Sequence, residues 1–596
     1  MPKTLFTPGQ YELSHLLADI DLGKLALPEI QRPFVWKKKA VRDLLDSMYR
    51  GFPVGYLMLW NAAQVDSRVI GEDGKQHTPT EFIVDGQQRL TSLYAVIKGK
   101  EVTFHDFSKG RIRIGFRPRD GRFEVSDAAI EKDPEFLPDI TSIWVGQGWE
   151  VVNGFIDRLK EAKPEALAGD NESQLRDALH QLQGLSDYPF QAVRIGHEVD
   201  EEKVAEIFMR VNSGGTQLKQ ADFILTLLSV FRDDDRRRLE RFARESRVVS
   251  ANGRPSPHNH LLQPDPDQLL RVAVLIAFRR GRLQAVLALL RGASVETDET
   301  LPSADRDAQL DKLSAAIDKV LDLTNWHEYI KAVMASGIRR AAEVSSRNTV
   351  VLVYALYLIG RSYGISHSDL RTPIARYFFM ASLTSRYTGS FETRITQDVQ
   401  SFTQAEDGNG YLERLRQATQ TTLTADFWTI NLPQNLATSS SRSPALFAYV
   451  ASLSLLNARV PPFVSGGPDG QKAAIPIRDL IDPVVHAKKS SLERHHLFPR
   501  KYLESIGIEA TSQINQIANL SFVEWPENIE ISDVPPADYW PRYRDQFTAQ
   551  DLFHHGLSPD WSDSDYDVFL ERRRERIAKV IRSGFESIGV GPAQDE

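Results

Sequence analysis

The chain has 596 residues, of which 41% are hydrophobic and 26% charged, with 72 Lys and Arg against 80 Asp and Glu and no cysteine. This length predicts several domains, and the composition is typical of a folded globular protein. The lack of cysteine excludes disulfides, thiol nucleophiles, Fe–S clusters and cysteine-ligated zinc, so a metal ion would need His, Asp, Glu or Asn ligands. The net charge of −8 excludes a protein that binds nucleic acid over its whole surface, but not one with local basic patches.

Two features bear on membranes. The N-terminal sequence MPKTLFTPGQYELSHLL has no charged region followed by an apolar core, so it lacks the pattern of a secretory signal. The longest nearly uncharged apolar run, at 349–359, is shorter than the roughly 20 residues of a membrane-spanning helix. We therefore expect a cytoplasmic protein with no membrane partner.

The first 230 residues contain short β-like runs followed by polar turns, which predict an α/β or α+β domain. In one of them a hydrophobic strand ends at Asp85, Gly86 permits a tight turn, and Gln87, Gln88 and Arg89 begin an amphipathic helix. Helix N-termini attract phosphates, and an arginine adds a forked cation. A purely structural turn has the same pattern, and the Walker sequence GxxxxGK[ST] is absent nearby.

Two further motifs accompany this junction, LPEIQRPFVW at 27–36 and RVNSGG at 210–215. Together with DGQQR at 85–89 and SMYRGFPVGYLMLW at 47–60, they resemble the DUF262 family, the N-terminal domain of GmrS-type proteins. The run RYFFMASLTSRYTGSFETRITQDVQ extends this resemblance into the region that follows. The resemblance implies a ParB/sulfiredoxin-like α/β fold that binds and hydrolyses a nucleoside triphosphate, with Arg89 pairing with the triphosphate and Asp85 orienting metal or water. The nucleotide-binding residues it implies are Gln31, Arg32, Asp85, Gly86, Gln87, Gln88, Arg89, Arg210 and Asn212.

The middle of the chain is predominantly helical in pattern. Residues 232–247 contain DDDRRR and predict a solvated helix, and apolar residues spaced three and four apart from about 265 to 430 predict a helical bundle. Turn formers at 432–442 predict a linker, and 563–588 predict a charged amphipathic helix. The predicted domains are a nucleotide-sensing domain at 1–230, a helical coupling region at 231–435 and a C-terminal domain at 436–596.

The most informative C-terminal stretch is LERHHLFP at 492–499, followed by Asn519 and Asn528. Hydrolysis of a phosphodiester needs a base for the attacking water, a cation for the developing charge and a scaffold that holds both. Histidine can act as the base near neutral pH, and a second histidine with an asparagine oxygen can bind a divalent ion such as Mg²⁺. Adjacent residues of a regular strand face opposite ways, so His495 and His496 can cooperate only if the backbone bends or if metal and water lie between them.

The surroundings of this stretch are basic, although the chain is acidic. Residues 485–502 contain five basic residues and a single acidic one, Glu493. This charge suits contacts with DNA phosphates, and a solvated loop is the alternative. His554 and His555 lack partner residues at useful spacing and are interpreted as structural. The predicted DNA-binding residues are Lys488, Lys489, Arg494, Arg500 and Lys501.

The same stretch resembles the HNH (ββα-metal) nuclease family, and in particular the DUF1524 (GmrD-like) domain of type IV restriction enzymes. The resemblance implies His496 as general base, His495 and Asn528 as ligands of Mg²⁺ or Mn²⁺, and Asn519 as the residue that braces the loop. Pro499 matches the family's loop proline. The family often has histidine at the position of Asn528, so this asparagine would be a weaker metal ligand.

Together the two resemblances imply a multidomain α+β protein that acts as a nucleotide-regulated, modification-dependent, type IV-like restriction endonuclease on double-stranded phage DNA. The motifs leave open the nucleotide (GTP, UTP, ATP or CTP), the DNA modification, and nicking versus double-strand cleavage, and they are compatible with a homodimer. The alternative from another class is a nucleotide-gated, clamp-like DNA-binding regulator with a degenerate HNH domain. A nicking or abortive-infection nuclease that acts on host DNA or RNA would use the same residues.

Overall fold

The computed structural model divides the chain into two compact units, Met1–Lys219 and Gln220–Glu596. Seven predicted site residues lie outside the residues it describes: Gln31, Arg32, Arg210, Asn212, Lys488, Lys489 and Asn528. The described residues are 4–26, 36–61, 81–104, 108–199, 203–204, 207, 225, 228, 232–250, 253–283, 303–461, 475–481, 492–524 and 533–590.

The first unit mixes strands and helices. Its strands are β1 (Phe6–Glu12), β2 (Leu25–Ala26), β3 (Leu57–Asn61), β4 (Glu81–Asp85), β5 (Glu101–Thr103), β6 (Lys109–Arg111), β7 (Ile114–Arg117), β8 (Arg122–Val125) and β9 (Pro189–Ile195). Its helices are α1 (Leu13–Asp21), α2 (Lys38–Tyr49), α3 (Gln87–Ile97), α4 (Ala128–Lys132), α5 (Ser142–Val145), α6 (Gly148–Ala162) and α7 (Asn171–Gln183).

A five-stranded mixed sheet forms the centre of this unit, with strand order β1-β9-β3-β4-β2. β1 and β9 are antiparallel, as are β3 and β4, whereas β9 and β3, and β4 and β2, are parallel. Strand β3 is buried on both faces, because Leu57 and Leu59 pack in the main core while Met58 and Trp60 belong to a second cluster with Ile195. This alternation is the period of two expected of a central strand. The register of β3 with β4 shifts between Met58 and Leu59, opposite the end of β4.

The second unit begins with packed helices, as its apolar spacing predicts. The helix at Arg347–Ser362, α12, shows the packing most clearly, since every side chain from Val350 to Ile359 is buried in the protein. The helices of this part are α8 (Asp233–Glu245), α9 (Pro266–Phe278), α10 (Ser303–Leu321), α11 (Leu323–Met334), α12 (Arg347–Ser362), α13 (His367–Leu383), α14 (Phe391–Phe402), α15 (Gly408–Thr422), α16 (Leu432–Asn435) and α17 (Pro444–Leu455).

The rest of the second unit contains a two-stranded antiparallel hairpin among helices that are short except for the last one. Its elements are α18 (Ile477–Leu480), β10 (Leu492–His496), α19 (Arg500–Ser505), α20 (Thr511–Ile514), β11 (Leu520–Glu524), α21 (Pro536–Tyr543), α22 (Ala549–His554) and α23 (Tyr566–Ser587). The short helix α16 lies within the segment predicted as a linker, and α17 packs on both α23 and α13. The regions predicted as coupling region and C-terminal domain therefore share one compact unit.

The prediction of a solvated helix at 232–247 is wrong in one respect. Helix α8 does form there, but Asp235 and Arg236 are buried. Arg236 pairs with Asp233 and Glu240 at 2.8 Å each, and Asp235 accepts a hydrogen bond from Ser314. The charges of this helix are thus partly neutralised inside the protein, because each buried group has a polar partner.

Across the described part of the chain, no helix combines the length and apolar character that crossing a membrane requires.

Candidate functional site

The junction predicted to bind phosphate forms as the sequence indicates. Strand β4 ends at Asp85, Gly86 has a φ of +94°, and α3 begins at Gln87. A Cβ atom at Gly86 would lie 2.3 Å from Cδ2 of Leu57, so this position is restricted by packing as well as by its left-handed backbone. The tight turn places the carboxylate of Asp85 at the N-terminus of α3.

The guanidinium of Arg89 binds the protein's own backbone. Nη1 donates to the carbonyl of Val54 (2.6 Å), and Nη2 donates to the carbonyl of Tyr56 (2.8 Å) and to Asp85 Oδ2 (3.1 Å). Gly55 has a φ of +87°, and a Cβ atom there would lie 2.3 Å from Nη1, so a larger residue would be strained and would have to displace the guanidinium. Arg89 therefore fixes the turn before β3 against the N-terminus of α3, and its pairing with a triphosphate stays a prediction.

The two glutamines of the junction also make local contacts. Gln87 Nε2 donates to the carbonyl of Ile83 (2.6 Å), and the backbone N–H of Trp36 donates to Gln88 Oε1 (3.4 Å). The structure thus places all of the residues from Asp85 to Arg89 at one helix N-terminus. The sequence could not indicate the carbonyls of residues 54 and 56 as the partners of Arg89, because backbone acceptors leave no residue-type signal.

The second candidate site lies at the end of the β10–β11 hairpin. In its antiparallel register, His495 lies opposite Ser521 and His496 lies opposite Leu520. His495 and Ser521 are buried, and His496 is half-buried. The register is regular up to His496, so the two histidines point to opposite faces of the strand pair.

The imidazole of His496 is oriented by the amide of Asn515, a residue outside the predicted site. His496 Nε2 lies 2.8 Å from Asn515 Oδ1. Because an amide oxygen only accepts hydrogen bonds, His496 donates from Nε2, and in the neutral imidazole the lone pair is then on Nδ1. In the sequence, the closeness of Asn515 to Asn519, four residues later, is the feature that could have indicated Asn515 as part of the site. Among the described residues no hydrogen bond to Nδ1 of His496 is defined, so this nitrogen can act as the proton acceptor.

Asn519 holds the chain that follows His496. Its side chain is completely buried; Oδ1 accepts from the N–H of Phe498 (2.8 Å), and Nδ2 donates to the carbonyls of Phe498 (3.1 Å) and Ile514 (2.9 Å). Its backbone carbonyl accepts from the N–H of Leu497 (2.9 Å). These bonds are the geometry expected of a residue that braces the loop.

Tyr539 also contacts the loop that Asn519 holds. Its hydroxyl donates to the carbonyl of Leu497 (2.6 Å), and its ring lies 6.4 Å from that of His495. Burial raises the pKa of Tyr539 well above its usual value, so the hydroxyl stays a donor. Pro499 then caps α19 in an extended conformation, as the last residue of the loop.

The predicted metal ligands are only partly described. Among the residues that the structure describes, no group of three or more His, Asp or Glu side chains could hold a metal ion. His495 is within this part and has an exposed fraction of 3%, while Asn528 lies outside it. Metal binding by this pair stays a prediction.

The basic residues near the hairpin differ in how far they are neutralised. Arg494 is exposed. Arg500 pairs with Glu504 (2.8 Å), and Lys501 pairs with Asp533. Both pairs are on the surface, where an ion pair contributes little and can exchange for a phosphate contact.

The two histidines interpreted as structural are indeed buried. His555 Nε2 lies 3.0 Å from the carbonyl of Arg459, and burial lowers the pKa of His555 to about 3. Burial also lowers the pKa of His554. An imidazole kept neutral in this way is a poor base at neutral pH.

Residues 13–229 match the family described as "GmrSD restriction endonuclease, N-terminal domain". This stretch contains the Asp85 to Arg89 junction and ends before the β10–β11 hairpin. The protein described as "Uncharacterized protein MJ0686", of Methanocaldococcus jannaschii, is 19% identical over 564 residues, which span 87% of this chain and 84% of that protein. The N-terminal part is therefore a GmrSD-like domain and points to a family of restriction endonucleases, while its fusion to an HNH domain stays a prediction.

Proposed function

We propose that this protein is a nucleotide-regulated, modification-dependent DNA endonuclease of the type IV restriction class, which cuts DNA at the β10–β11 hairpin. The observation that carries the proposal is the 2.8 Å contact between His496 Nε2 and Asn515 Oδ1, because it fixes a half-buried imidazole with its second nitrogen available as a base. The match of residues 13–229 to a restriction endonuclease domain supports the class.

In the proposed reaction, His496 Nδ1 takes a proton from a water molecule whose oxygen attacks phosphorus in line. As the new P–O bond forms, the bond from phosphorus to the 3′ oxygen breaks, and this oxygen takes a proton from solvent. The products are a 5′-phosphate and a 3′-hydroxyl. Asn519 keeps the loop after His496 in place through its bonds to Phe498. His495 and Asn528 are the proposed ligands of Mg²⁺ or Mn²⁺, which when bound would stabilise the charge on the departing oxygen.

The first unit would control this activity through the junction at Asp85 to Arg89. A nuclease active at all times would attack the host's own DNA, so a ligand must bias the protein between inactive and active states. The N-terminus of α3 offers backbone N–H groups to a triphosphate, and Arg89 links that helix to the turn at Val54 and Tyr56. Binding at the junction can therefore move or fix this turn.

Replacing Arg89 with alanine is expected to abolish nucleoside triphosphate turnover, lowering phosphate release by about 100-fold or more, because a charged group near the phosphates and the anchor of the turn are both lost. Phosphate release is measured with each of the four triphosphates. Arg50→Ala is the matched control, since Arg50 is a surface arginine of the same unit that pairs only with Asp46 at 2.8 Å among the ion pairs of the described residues. Unchanged phosphate release in the Arg89→Ala protein would mean that the junction is a structural turn.

The second candidate is a nucleotide-gated, clamp-like DNA-binding regulator whose HNH-like domain does not cut. The regular register of β10 favours it, because the proposed metal ligand His495 and the proposed base His496 point to opposite faces of the strand pair and can cooperate only if metal and water lie between them. Asparagine at position 528 would also be a weaker metal ligand than histidine.

A cleavage assay separates the two candidates. Supercoiled plasmid and phage DNA that is unmodified, phosphorothioated, or carries hydroxymethylcytosine or its glucosylated form are incubated with the protein, Mg²⁺ and each triphosphate. EDTA serves as the control. We expect nicked or linear products with at least one modified DNA, and none with EDTA. A shift in mobility without nicking under every condition would contradict the nuclease and establish the regulator.

A further inference from the structure

A buried arginine lies behind the hairpin. Arg573, in helix α23, has an exposed fraction of 0%, and it ranks among the largest fully buried side chains of the described residues. Burial lowers the pKa of Arg573. Taking a guanidinium out of water is unfavourable unless its donors are satisfied, so the groups that it contacts are informative.

Four hydrogen bonds of this guanidinium go to backbone carbonyls, and the side chain of Tyr449 also interacts with it. Nη1 donates to Ala518 (2.7 Å) and to Leu520 (2.9 Å). Nε and Nη2 both donate to the backbone carbonyl of His555, at 3.1 and 3.0 Å. The planar fork of arginine suits such an arrangement, because donors at fixed angles can join separate chain segments.

The two carbonyls bound by Nη1 flank Asn519. Asn519 in turn bonds to both backbone polar groups of Phe498, two residues after His496. Leu520 also lies directly opposite His496 in the β10–β11 register. A displacement of the segment from Ala518 to Leu520 would therefore shift the imidazole of His496 in two ways. It would move the loop that Asn519 holds, and it would move the strand that pairs with β10.

We infer that Arg573 is a positioning residue for the proposed nuclease site: by holding the carbonyls on both sides of Asn519, it keeps the loop and His496 in the geometry needed for proton transfer. The expected effect on cleavage rests on the proposed function. Arg573 does not touch the reacting atoms, because it is completely buried behind β11.

The test uses the full-length Arg573→Lys protein. Lysine keeps the charge but cannot bridge the same carbonyls from one planar group, so we expect kcat for DNA cleavage to fall about 10–100-fold with KM changed less than about threefold. Hydrogen exchange of the Leu497 and Phe498 amides, which donate to Asn519, should become faster. A residue with a merely structural role would lower thermal stability without changing kcat well below the melting temperature.

The matched control is Arg236→Lys, a buried arginine in α8 whose ion pairs are with Asp233 and Glu240. It should lose stability but keep kcat and the exchange rates of the loop amides. If Arg573→Lys does not fold, Arg573→Gln, which is neutral and removes most of the donors, takes its place. Wild-type kcat and exchange rates in a folded Arg573 variant would overturn the inference while leaving the nuclease intact. If the wild-type protein cuts no DNA, the proposed function fails, and the exchange rates alone then decide whether Arg573 holds the loop.

Discussion

Replacing His496 with alanine is expected to lower the rate of DNA cleavage by about 100- to 10,000-fold, the usual contribution of a general base. The imidazole is half-buried and, within the described part of the chain, its side-chain hydrogen bond is to Asn515. Its removal should therefore change the free energy of unfolding little. Single-turnover cleavage of the preferred DNA with Mg²⁺ measures the loss, and binding of the same DNA should persist because the basic side chains near the hairpin remain.

The chain offers a matched control in His327. This histidine is also half-buried, and its Nε2 lies 2.8 Å from an oxygen, the carbonyl of Ser256, but it belongs to helix α11. His327→Ala should cut DNA at the wild-type rate. Equal cleavage by His496→Ala and the wild-type protein would exclude His496 as the base and remove the HNH assignment.

Replacing Asn519 with alanine is expected both to destabilise the second unit and to lower cleavage strongly. Three side-chain hydrogen bonds would be lost and would leave buried groups of Phe498 and Ile514 without partners, at a cost on the order of 3 kcal/mol or more. Aspartate is no substitute, since its second oxygen would face two carbonyls. Urea unfolding gives the change in stability, and cleavage at low temperature, where the variant is folded, gives the change in rate.

Asn325→Ala is the comparison for this variant. Asn325, near the start of α11, makes one side-chain hydrogen bond, to the carbonyl of Lys319 (3.2 Å), at an exposed position. Its loss should change stability by less than about 1 kcal/mol. If Asn519→Ala unfolded at the same urea concentration as Asn325→Ala and kept full activity, the loop would not depend on Asn519.

Short-range features of this protein were predictable. The end of β4 at Asp85, the left-handed turn at Gly86 and the start of α3 at Gln87 follow from a hydrophobic run, a glycine and an amphipathic pattern that are adjacent in the chain. The helices of the middle region follow from apolar spacing for the same reason. Helix α8 was predicted as an element, whereas the burial of Asp235 and Arg236 within it was not.

The partners of the polar side chains were not predictable in the same way. Arg89 looks like a phosphate ligand in the sequence, yet its guanidinium bonds to carbonyls more than 30 residues earlier in the chain. Arg573 is the middle one of three arginines and lies four residues after Phe569 and four before Ile577, on the apolar face of α23, but this spacing does not indicate which groups its guanidinium binds. A backbone carbonyl is the same in every residue, so the sequence contains no record of which carbonyl an arginine will bind.

The sequence by itself determined the order of elements, the absence of thiol chemistry and the two stretches, DGQQR and LERHHLFP, where chemistry is proposed. Those properties depend only on composition and on neighbours within a few residues, so they can be predicted from the sequence. Only the tertiary structure decided that Asn515 orients His496, which backbone groups Asn519 bonds to, and that Arg573 donates to the carbonyl of Ala518, 55 residues earlier in the chain. The reason is that buried polar groups must find partners wherever packing brings them, and packing joins segments that the sequence keeps apart.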